Sequence, residues 1–245
     1  MCGILTILDP FGAPARAASH AARAAHLLRR LEHRGPDGSG ICQLARAWLG
    51  HTRLAIMDPA HGHQPFVHSG MAWVANAEIF NHAELAARFG SAASRSDCAV
   101  IGPAWRALGP DTPGALDGQF AFVSADIESG AWIAARDHVG ISPLYIGHHS
   151  DGTLWFASEM KALVDDCERV AIVPAGHAWQ SEGSGTRLER WYTPDWEFTV
   201  PNRAVDEESL RMSLIGAVRK RMESDAPWGV LLSGGVDSSL VAAIA

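Results

Sequence analysis

The alternation of hydrophobic and polar residues in the first half of the chain predicts strands separated by a few helices. Ile4–Leu8 is a short apolar run rich in β-forming residues, so we expect a strand there. Pro14 precedes a stretch rich in Ala, Leu and Arg, which predicts one helix over Ala15–His33, with Gly35 as its C-terminal cap and Pro36 as its stop. The other elements predicted in this half are two strands within Ile41–Ile56, a strand over Met71–Ala75 ending at Asn76, and helices over Asn81–Phe89 and Asp97–Leu108, capped by Asn81 and Asp97.

A different pattern occupies residues 118–191, where short β-rich runs are broken by Gly, Asp and Ser. This spacing is typical of antiparallel strands that follow one another as a meander. The predicted strands are Phe120–Ala125, Trp132–Ala135, Leu144–His148, Leu154–Ala157, Ala171–Val173 and His177–Gln180.

The last part of the chain resembles the opening of another domain. Trp191–Arg203 is rich in Pro, Trp and polar residues and indicates a linker, and helical spacing returns in Val205–Glu223. Trp228–Leu232 predicts a buried strand, Ser233–Ser239 a loop, and Leu240–Ala245 the start of a helix. A parallel sheet needs several crossover units of about 30 residues. We therefore expect a second, α/β domain whose remainder belongs either to a longer form of this chain or to another polypeptide.

Charge and composition narrow the classes of partner. The 245 residues carry a formal net charge of −7. A protein that binds nucleic acid or an anionic membrane needs a basic face, so the charge argues against either as the main partner. No apolar run approaches the roughly 18 residues of a membrane span. The start also lacks the basic and apolar regions of a signal peptide, so we expect a cytoplasmic protein.

Cysteine and histidine spacing gives no metal-binding motif. The four cysteines, Cys2, Cys42, Cys98 and Cys167, contain no C-x-x-C pair, and we expect free thiols in the reducing cytosol. Among the twelve histidines, the closest groupings are His61-Gly62-His63 and His148-His149, and neither lies in an H-E-x-x-H pattern. The sequence therefore predicts solvated loop histidines and no structural metal.

Cys2 is a candidate nucleophile, because removal of Met1 would make it the N-terminal residue. It would then carry a thiol and a free α-amine whose unperturbed pKa of about 7.7–8.0 lets part of it accept a proton near neutral pH. A nucleophile activated by an N-terminal amine is a known form of covalent catalysis. A lone cysteine in a first strand is nevertheless more often structural.

Polar residues dispersed through the first domain can complete such a site. Asn76 and Glu78 are two residues apart and would share one face of an extended segment. The Asn76 amide and the N–H of Ala77 can form an oxyanion hole. Arg53 can bind a carboxylate bidentately, and Glu78 and Asp97 can accept hydrogen bonds from an ammonium group. Taken singly, each of these residues is more often a surface or capping residue.

The Ser233–Ser239 loop is the strongest local motif. A strand that ends in S-G-G-x-D-S and leads into a helix presents backbone N–H groups and hydroxyls at the helix N-terminus, where a phosphate is favoured. It is not a Walker A loop, because no Gly-Lys-Ser/Thr is present. Asp237 can hold Mg²⁺ against the phosphates. A simple Ser/Gly turn is the alternative.

Short stretches along the whole chain carry a more specific resemblance. They are Met1–Ile4, His33–Asp37, Arg53–Ile56, Asn76–His82, Ser96–Cys98, Gly118–Phe122, Arg136–Gly140, Pro143–Tyr145, Ala157–Leu163 and Leu231–Ser239. In this order they resemble the glutamine-dependent asparagine synthetases of the bacterial B type. The resemblance implies an α+β, four-layer αββα N-terminal nucleophile fold. It places a class II amidotransferase domain in residues 1–190, a linker in 191–204 and the truncated start of an ATP-binding synthetase domain in 205–245.

The resemblance also implies a role for individual residues. Catalysis is assigned to Cys2, Asn76 and Ala77, and glutamine binding to Arg53, Leu54, Ile56, Asn76, Glu78 and Asp97. ATP and pyrophosphate binding is assigned to Leu231, Leu232, Ser233, Gly234, Gly235, Asp237 and Ser238, with Asp237 as a possible Mg²⁺ ligand. No metal is expected in the glutaminase domain.

The family reaction needs ATP and Mg²⁺, and its substrates are glutamine, aspartate and ATP. A homodimer is expected for a full-length enzyme, and neither nucleic acid nor membrane is an expected partner. Because the synthetase domain is incomplete, this chain alone is not expected to make asparagine.

Two alternatives follow from the same residues. One is an amidotransferase of this superfamily that serves another acceptor, and the other is a catalytically silent binding or regulatory module. The presence of Cys2 together with the other site residues argues against the silent module and against β-lactam-forming relatives, which generally lack the N-terminal cysteine. Ala77 stands where the family usually has glycine, so the oxyanion hole depends on a negative φ at this residue.

Overall fold

The computed structural model describes residues 1–10, 16–183, 185–198, 204 and 206–245. They form two compact units, Met1–Thr193 and Pro194–Ala245. No helix in these ranges is long and apolar enough to cross a membrane. The predicted boundaries at residues 190 and 204 remain predictions, and the linker includes positions outside the described residues.

Two six-stranded antiparallel sheets make up most of the first unit. The strands of the first sheet are β1 (Gly3–Leu8), β2 (Gly38–Gln43), β3 (Ala47–Arg53), β8 (Tyr145–His148), β9 (Leu154–Ala157) and β10 (Arg169–Ile172). The strands of the second are β4 (Phe66–His68), β5 (Met71–Ile79), β6 (Gly118–Asp126), β7 (Trp132–Arg136), β11 (His177–Glu182) and β12 (Gly185–Arg190). Their orders are β10-β8-β9-β1-β3-β2 and β12-β11-β7-β6-β5-β4.

Helices cover the outer face of each sheet. The helices of this unit are α1 (Arg16–Ser19), α2 (Ala21–Arg29), α3 (His82–Phe89), α4 (Ile101–Leu108) and α5 (Thr112–Ala115). On the first sheet, Leu27 and Leu28 of α2 share a buried cluster with Trp48. On the second, Leu85 of α3 and Ile101 of α4 share another with the central strands. A third cluster lies between the sheets, and the predicted four-layer αββα arrangement is confirmed.

The alternation of side chains along β1 and β5 determines which residues reach the space between the sheets. Ile4 and Leu8 of β1 belong to the inter-sheet cluster, and so does Val74 of β5. Since successive side chains of a strand point to opposite faces, Asn76 and Glu78 continue the inward face of β5. Both lie within β5, which extends to Ile79 and is therefore four residues longer than predicted.

The helix predicted over Ala15–His33 is interrupted. The structure has α1, a break at His20, α2 ending at Arg29, and a 3₁₀ turn over Glu32–Arg34; residue 15 lies outside the described residues. The Ser19 hydroxyl donates to the Arg16 carbonyl at 2.7 Å, and the His20 ring hydrogen-bonds to Asp151 at 2.7 Å. Local and tertiary hydrogen bonds thus outweigh the helix propensity of the alanine-rich sequence.

Gly35 follows the last helical turn as expected, but for a different reason. Its φ is −147°, so no left-handed cap is present. A Cβ at this position would lie 2.3 Å from the Arg53 nitrogen. Glycine is therefore required by the close approach of the turn to β3.

Several other strand and helix predictions need correction. The helix predicted over Asp97–Leu108 begins as a 3₁₀ turn over Asp97–Val100 and becomes α4 at Ile101. The expected meander is divided, because β8, β9 and β10 join the first sheet while β6, β7 and β11 join the second. Two strands were not predicted, β4 and β12, which are both at an edge of the second sheet.

The second unit contains the helices α6 (Glu207–Lys220) and α7 (Val236–Ile244). Asp206 caps α6, since its side chain accepts a hydrogen bond from the Ser209 N–H. The predicted buried strand Trp228–Leu232 is wrong: these residues have no strand structure, and Leu231 is 94% exposed. A strand needs a paired neighbour to satisfy its backbone groups, and the described residues of this unit provide no sheet. The last helix begins at Val236, four residues earlier than predicted.

Candidate active site

Cys2 lies at the N-terminal end of β1, at one end of the sandwich. The Leu54 N–H donates to its Sγ at 3.4 Å, and the thiol points to the Leu54 carbonyl at 3.7 Å. Arg34 Nε donates to the Cys2 carbonyl oxygen at 2.9 Å and fixes the backbone beside the thiol. The cysteine is therefore positioned by strand pairing and by two neighbouring segments.

Burial raises the pKa of the Cys2 thiol above its ordinary value. The hydrogen bond from Leu54 and the positive charges of the N-terminus and Arg53 act in the opposite direction, while the Glu78 carboxylate adds to the rise. Burial thus opposes ionisation of this thiol, and the Leu54 N–H and the two positive charges offset only part of that effect.

Two hydrogen-bond donors of β5 face the cavity beside Cys2. Asn76 is 3% exposed, and its Nδ2 has no hydrogen-bond partner among the described residues. The Ala75 N–H donates to Gln64 Oε1 at 2.7 Å, and the Ile79 N–H donates to Asp97 Oδ2 at 2.7 Å. Because backbone N–H groups alternate in direction along a strand, the Ala77 N–H between them points the same way, away from β6. The neighbouring strand β4 ends its pairing at Trp73 and does not reach it.

Ala77 fits this arrangement without strain. It is not among the residues with positive φ, of which Asp58 and Ser69 are the non-glycine examples in the described chain. It packs against the buried cluster on the outer face of the second sheet. The methyl group is thus on the face opposite to Asn76 and Glu78, and the Ala77 amide remains directed to the cavity.

Glu78 and Asp97 place two carboxyl groups at the same end of the sandwich. Burial, and secondarily the charge of Asp97, raises the pKa of Glu78 to about 7. Burial also raises the pKa of Asp97, against the lowering effect of the Ile79 N–H hydrogen bond. Two neighbouring carboxyl groups whose ionisation is opposed by burial form a site that favours a cation.

Arg53 ends β3 and is almost fully buried. Its two Nη atoms donate to the carbonyls of Met57, Asp58 and Pro59 at 2.7–3.2 Å. The expected carboxylate-binding guanidinium is therefore partly used to hold the loop after β3. Arg53 also lines the cavity.

One cavity of about 150 Å³ brings the predicted catalytic and glutamine-binding residues together. Its lining includes Cys2, Arg53, Leu54, Ile56, Asn76, Ala77, Glu78 and Asp97. A thiol, two hydrogen-bond donors and a pair of carboxyl groups at one cavity are groups that can perform acyl transfer from an amide that carries an ammonium group.

Family comparison agrees with this chemistry. A model described as "Glutamine amidotransferase domain" matches residues 1–180. The chain belongs to this family. A second model, described as "Asparagine synthase", matches residues 209–245.

Similar proteins of this glutamine amidotransferase family include longer plant enzymes. The chain is 46% identical over 249 residues to an asparagine synthetase [glutamine-hydrolyzing] of Asparagus officinalis, with 100% of this chain and 41% of the relative covered. It is 47% identical over 250 residues to an asparagine synthetase [glutamine-hydrolyzing] of Arabidopsis thaliana, covering 100% of this chain and 42% of the relative. The chain thus spans less than half the length of the curated relatives it matches.

Solved structures share the fold of the amidotransferase at low sequence identity. A glutamine phosphoribosylpyrophosphate amidotransferase from B. subtilis, complexed with ADP and GMP, superposes with a TM-score of 0.61 at 21% identity, covering 98% of this chain and 63% of that one. A structure titled as the allosteric regulatory enzyme of purine biosynthesis gives the same TM-score and identity, with 98% and 62% covered. These likenesses establish the fold of the domain.

Two residues that support the amidotransferase site were not predicted. Gln64 is 7% exposed and keeps the β5 edge extended through its bond to the Ala75 N–H. Asp58 accepts from the Arg95 N–H at 2.8 Å and from the Ser94 hydroxyl at 2.9 Å, so it ties the Arg53 loop to the segment before Asp97. These hydrogen bonds lower the pKa of Asp58 to about 2, and the one from the Arg95 N–H contributes most. Neither residue belongs to a pattern that sequence spacing alone identifies.

The predicted phosphate loop of the second unit is exposed. Gly234 has a φ of +85°, and the Ser233 and Ser238 hydroxyls are 3.0 Å apart. Gly235 precedes α7, and Asp237 lies in the first turn of that helix. Leu231 and Leu232, to which the resemblance assigns ATP and pyrophosphate binding, are 94% and 64% exposed. The described residues of this unit form only the loop part of the predicted ATP site.

Proposed function

We propose that the first unit hydrolyses glutamine with Cys2 as the nucleophile. The observation that carries this proposal is the buried Asn76 Nδ2, which has no partner among the described residues, beside the Ala77 N–H, which points away from β6. Both residues line the cavity that contains Cys2. An unpaired buried donor is costly. Its cost is offset when the oxyanion of a tetrahedral intermediate accepts the hydrogen bond.

The proposed reaction has two steps. The α-amine takes the proton of the Cys2 thiol as Sγ attacks the carboxamide carbon, and it delivers that proton to the nitrogen as the C–N bond breaks and ammonia leaves. Water then attacks the thioester, which releases glutamate and regenerates the thiol. Removal of Met1 is required, because only then does Cys2 carry the α-amine that transfers the proton.

The ends of glutamine have complementary partners in the cavity. The α-carboxylate is assigned to Arg53 through Nε and to the polar backbone around Leu54 and Ile56. The α-ammonium is assigned to Glu78 and Asp97, whose raised pKa values fall when a cation lies between them. Binding of the substrate thus relieves the repulsion between these two groups.

The second part of the proposal concerns the fate of ammonia. The match of residues 209–245 to the asparagine synthase model, and the names of the plant relatives, support an ATP-dependent conversion of aspartate to asparagine in a longer protein. ATP would lie on Leu231, Leu232, Ser233, Gly234, Gly235, Asp237 and Ser238. The positive φ of Gly234 and the exposed hydroxyls suit a phosphate.

Finer features remain proposals. The Asp237 carboxylate suits Mg²⁺, which would neutralise phosphate charge. We also propose a homodimer, a cytoplasmic location and no nucleic-acid partner, which the family resemblance and the net charge of −7 support. The relatives reported above are plant enzymes, so the bacterial B type has no support from them, and we carry forward only the glutamine-hydrolysing class.

Replacement of the nucleophile tests the glutaminase. Protein with Met1 removed should release ammonia and glutamate from glutamine in equal amounts, and Cys2→Ala should abolish both. Cys42→Ala, which removes another partly buried thiol, should retain activity. If folded protein releases no more ammonia than Cys2→Ala, the glutaminase proposal is wrong and the silent module is favoured.

A further inference from the structure

We propose that His20, His149 and Asp151 form a binding site for a divalent transition-metal ion such as Zn²⁺, separate from the cavity of Cys2. His20 lies at the break between α1 and α2, His149 directly follows β8, and Asp151 lies in the turn before β9. Their ligand atoms are all within 4.8 Å of one another, and these three side chains are the one such group of three in the described residues.

Both histidines lie at hydrogen-bond distance from Asp151, which is somewhat shorter than the separation of two ligands on one ion. His20 Nε2 is 2.7 Å from Asp151 Oδ2, and His149 Nδ1 is 2.8 Å from Asp151 Oδ1. Tetrahedral ligands at about 2.0 Å from Zn²⁺ are about 3.3 Å apart. The two pairs that include Asp151 would therefore have to open by about 0.5–0.6 Å to admit the ion, and the ligand atoms of His20 and His149 lie within 4.8 Å of each other. Two imidazole nitrogens and one carboxylate oxygen are ligands that Zn²⁺ prefers, with the fourth position left for water.

Surrounding contacts fix the orientation of the three side chains. Asp151 Oδ1 accepts from the Thr153 N–H at 2.9 Å and from the Thr153 hydroxyl at 2.7 Å. The His149 ring stacks on Trp155 with a centroid distance of 5.5 Å and an interplanar angle of 9°. Trp155 Nε1 in turn donates to the Thr153 hydroxyl at 3.0 Å. Hydrogen-bond and packing partners of this kind orient the side chains that bind a metal ion and raise its affinity.

Exposure and charge favour a transition metal over Mg²⁺ or Ca²⁺. The side chains of His20, His149 and Asp151 are 16%, 20% and 31% exposed, so an ion can enter from solvent while the ligands stay partly desolvated. Mg²⁺ and Ca²⁺ need mainly oxygen ligands, and this group offers a single carboxylate. Arg16 Nη1 also donates to the Asp151 carbonyl at 3.1 Å, which further disfavours an ion held by charge alone.

The adjacent histidine provides a matched control. His148 lies at the end of β8 and contacts Arg169 Nη2 at 3.3 Å through its Nε2. Its ring packs near Trp179, at a centroid distance of 5.9 Å. Replacement of His148 therefore removes one imidazole from the same strand end without changing the proposed ligand set. The prediction that His148 and His149 are solvated loop residues is wrong for both, because His148 ends β8 beside Trp179 and the His149 ring stacks on Trp155.

Zn²⁺ binding tests the proposal directly. The Cys2→Ala chain, which lacks the cavity thiol, is titrated with Zn²⁺ in competition with a chromophoric chelator. We expect one saturable equivalent, weakened roughly tenfold or more by His149→Ala and by Asp151→Asn, and unchanged by His148→Ala. Circular dichroism checks that each variant is folded. Absence of a saturable equivalent, or equal affinity in His148→Ala and His149→Ala, would overturn the proposal.

Thermal unfolding gives a second measurement. An ion bound to all three residues would join the α1–α2 junction to the turn between β8 and β9, and Zn²⁺ at 100 times its Kd should raise Tm by roughly 5–10 °C. The same rise should occur in His148→Ala and be lost in His20→Gln. An equal rise in His20→Gln would contradict the assignment of His20, and a rise with Mg²⁺ alone would contradict the choice of a transition metal.

Discussion

In the unit Met1–Thr193 the motif residues lie at the ends of paired strands, whereas in Pro194–Ala245 they lie on an exposed loop. Cys2, Asn76 and Glu78 approach one another because β1 and β5 belong to two sheets with a common buried core. The Ser233–Ser239 loop keeps its local turn, but the segment before it forms no strand. In the sequence, the Ser233–Ser239 loop was the strongest local motif, whereas the site residues of the first unit were dispersed. Recognition of a motif therefore says little about whether its geometry is formed.

Tertiary partners account for the difference between the two units. Trp73 of β5 is fully buried, and its Nε1 donates to the Cys98 carbonyl at 2.9 Å. Trp228 belongs to the predicted strand of the second unit and is 53% exposed. The two tryptophans have the same intrinsic β propensity. Only Trp73 has a sheet and a helical layer to pack against.

Truncation of these two tryptophans should give the largest contrast. Trp73→Ala is expected to lower the free energy of unfolding by about 3–5 kcal/mol, because it empties a fully buried site. Trp228→Ala should change it by less than about 0.5 kcal/mol. Urea denaturation followed by far-UV circular dichroism measures both, and Trp73→Phe serves if Trp73→Ala does not fold. Equal losses would mean that Trp228 is also packed in a core.

Asn76 and Asp237 provide the same contrast in activity. Asn76→Ala should reduce kcat for glutamine hydrolysis by roughly 10²–10³, because one oxyanion donor is lost, with a smaller change in KM. Asp237→Asn should leave this rate unchanged. Asn81→Ala is a further control, since Asn81 makes structural bonds to Ala115 and Asp117. An unchanged kcat in folded Asn76→Ala would remove Asn76 from the oxyanion hole.

Much of the first unit could be predicted from sequence because its signals are local. The strand Ile4–Leu8 and the helix Asn81–Phe89 are found within one residue of their predicted bounds at each end. The eight residues that the family resemblance assigned to catalysis and glutamine binding are among the sixteen that line the cavity. The break at His20 could not be predicted, because the ring bonds to Asp151, which is 131 residues away in sequence.

Long-range hydrogen bonds also explain the missed parts of the site. Gln64 reaches Ala75 across the β5 edge, and Asp58 reaches Arg95 across 37 residues. Neither contact leaves a periodic or spaced signature in the sequence.

The second unit gives the opposite error: the apolar run Trp228–Leu232 has the composition of a strand, but strand formation depends on a neighbouring strand that the sequence pattern does not contain.

The pH dependence of glutamine binding tests the charge arrangement at Glu78. Its pKa of about 7 in the free site must fall when an ammonium group binds, so affinity should increase as pH rises and level off above about pH 7. Below that value, Kd for glutamine should rise by up to about tenfold per pH unit, because a proton must leave Glu78 on binding. Calorimetry with Cys2→Ala avoids turnover. In Glu78→Gln the binding should be weaker and nearly independent of pH over this range, and a flat profile with Glu78 intact would contradict the assignment.

Ala77→Gly should have the smallest effect and examines the departure from the usual family residue. Ala77 has a negative φ within β5, and it packs against the outer buried cluster. The fold therefore does not need the positive φ that only glycine adopts easily. The added freedom of the unfolded chain should lower the free energy of unfolding by about 0.5–1 kcal/mol. Because the amide that faces Cys2 is retained, kcat and KM should stay within about twofold of their original values. Urea denaturation and ammonia release measure the two effects separately. A large gain in kcat would show that the methyl group obstructs the oxyanion hole, and the first unit would then resemble the second, with a recognisable motif whose geometry is incomplete.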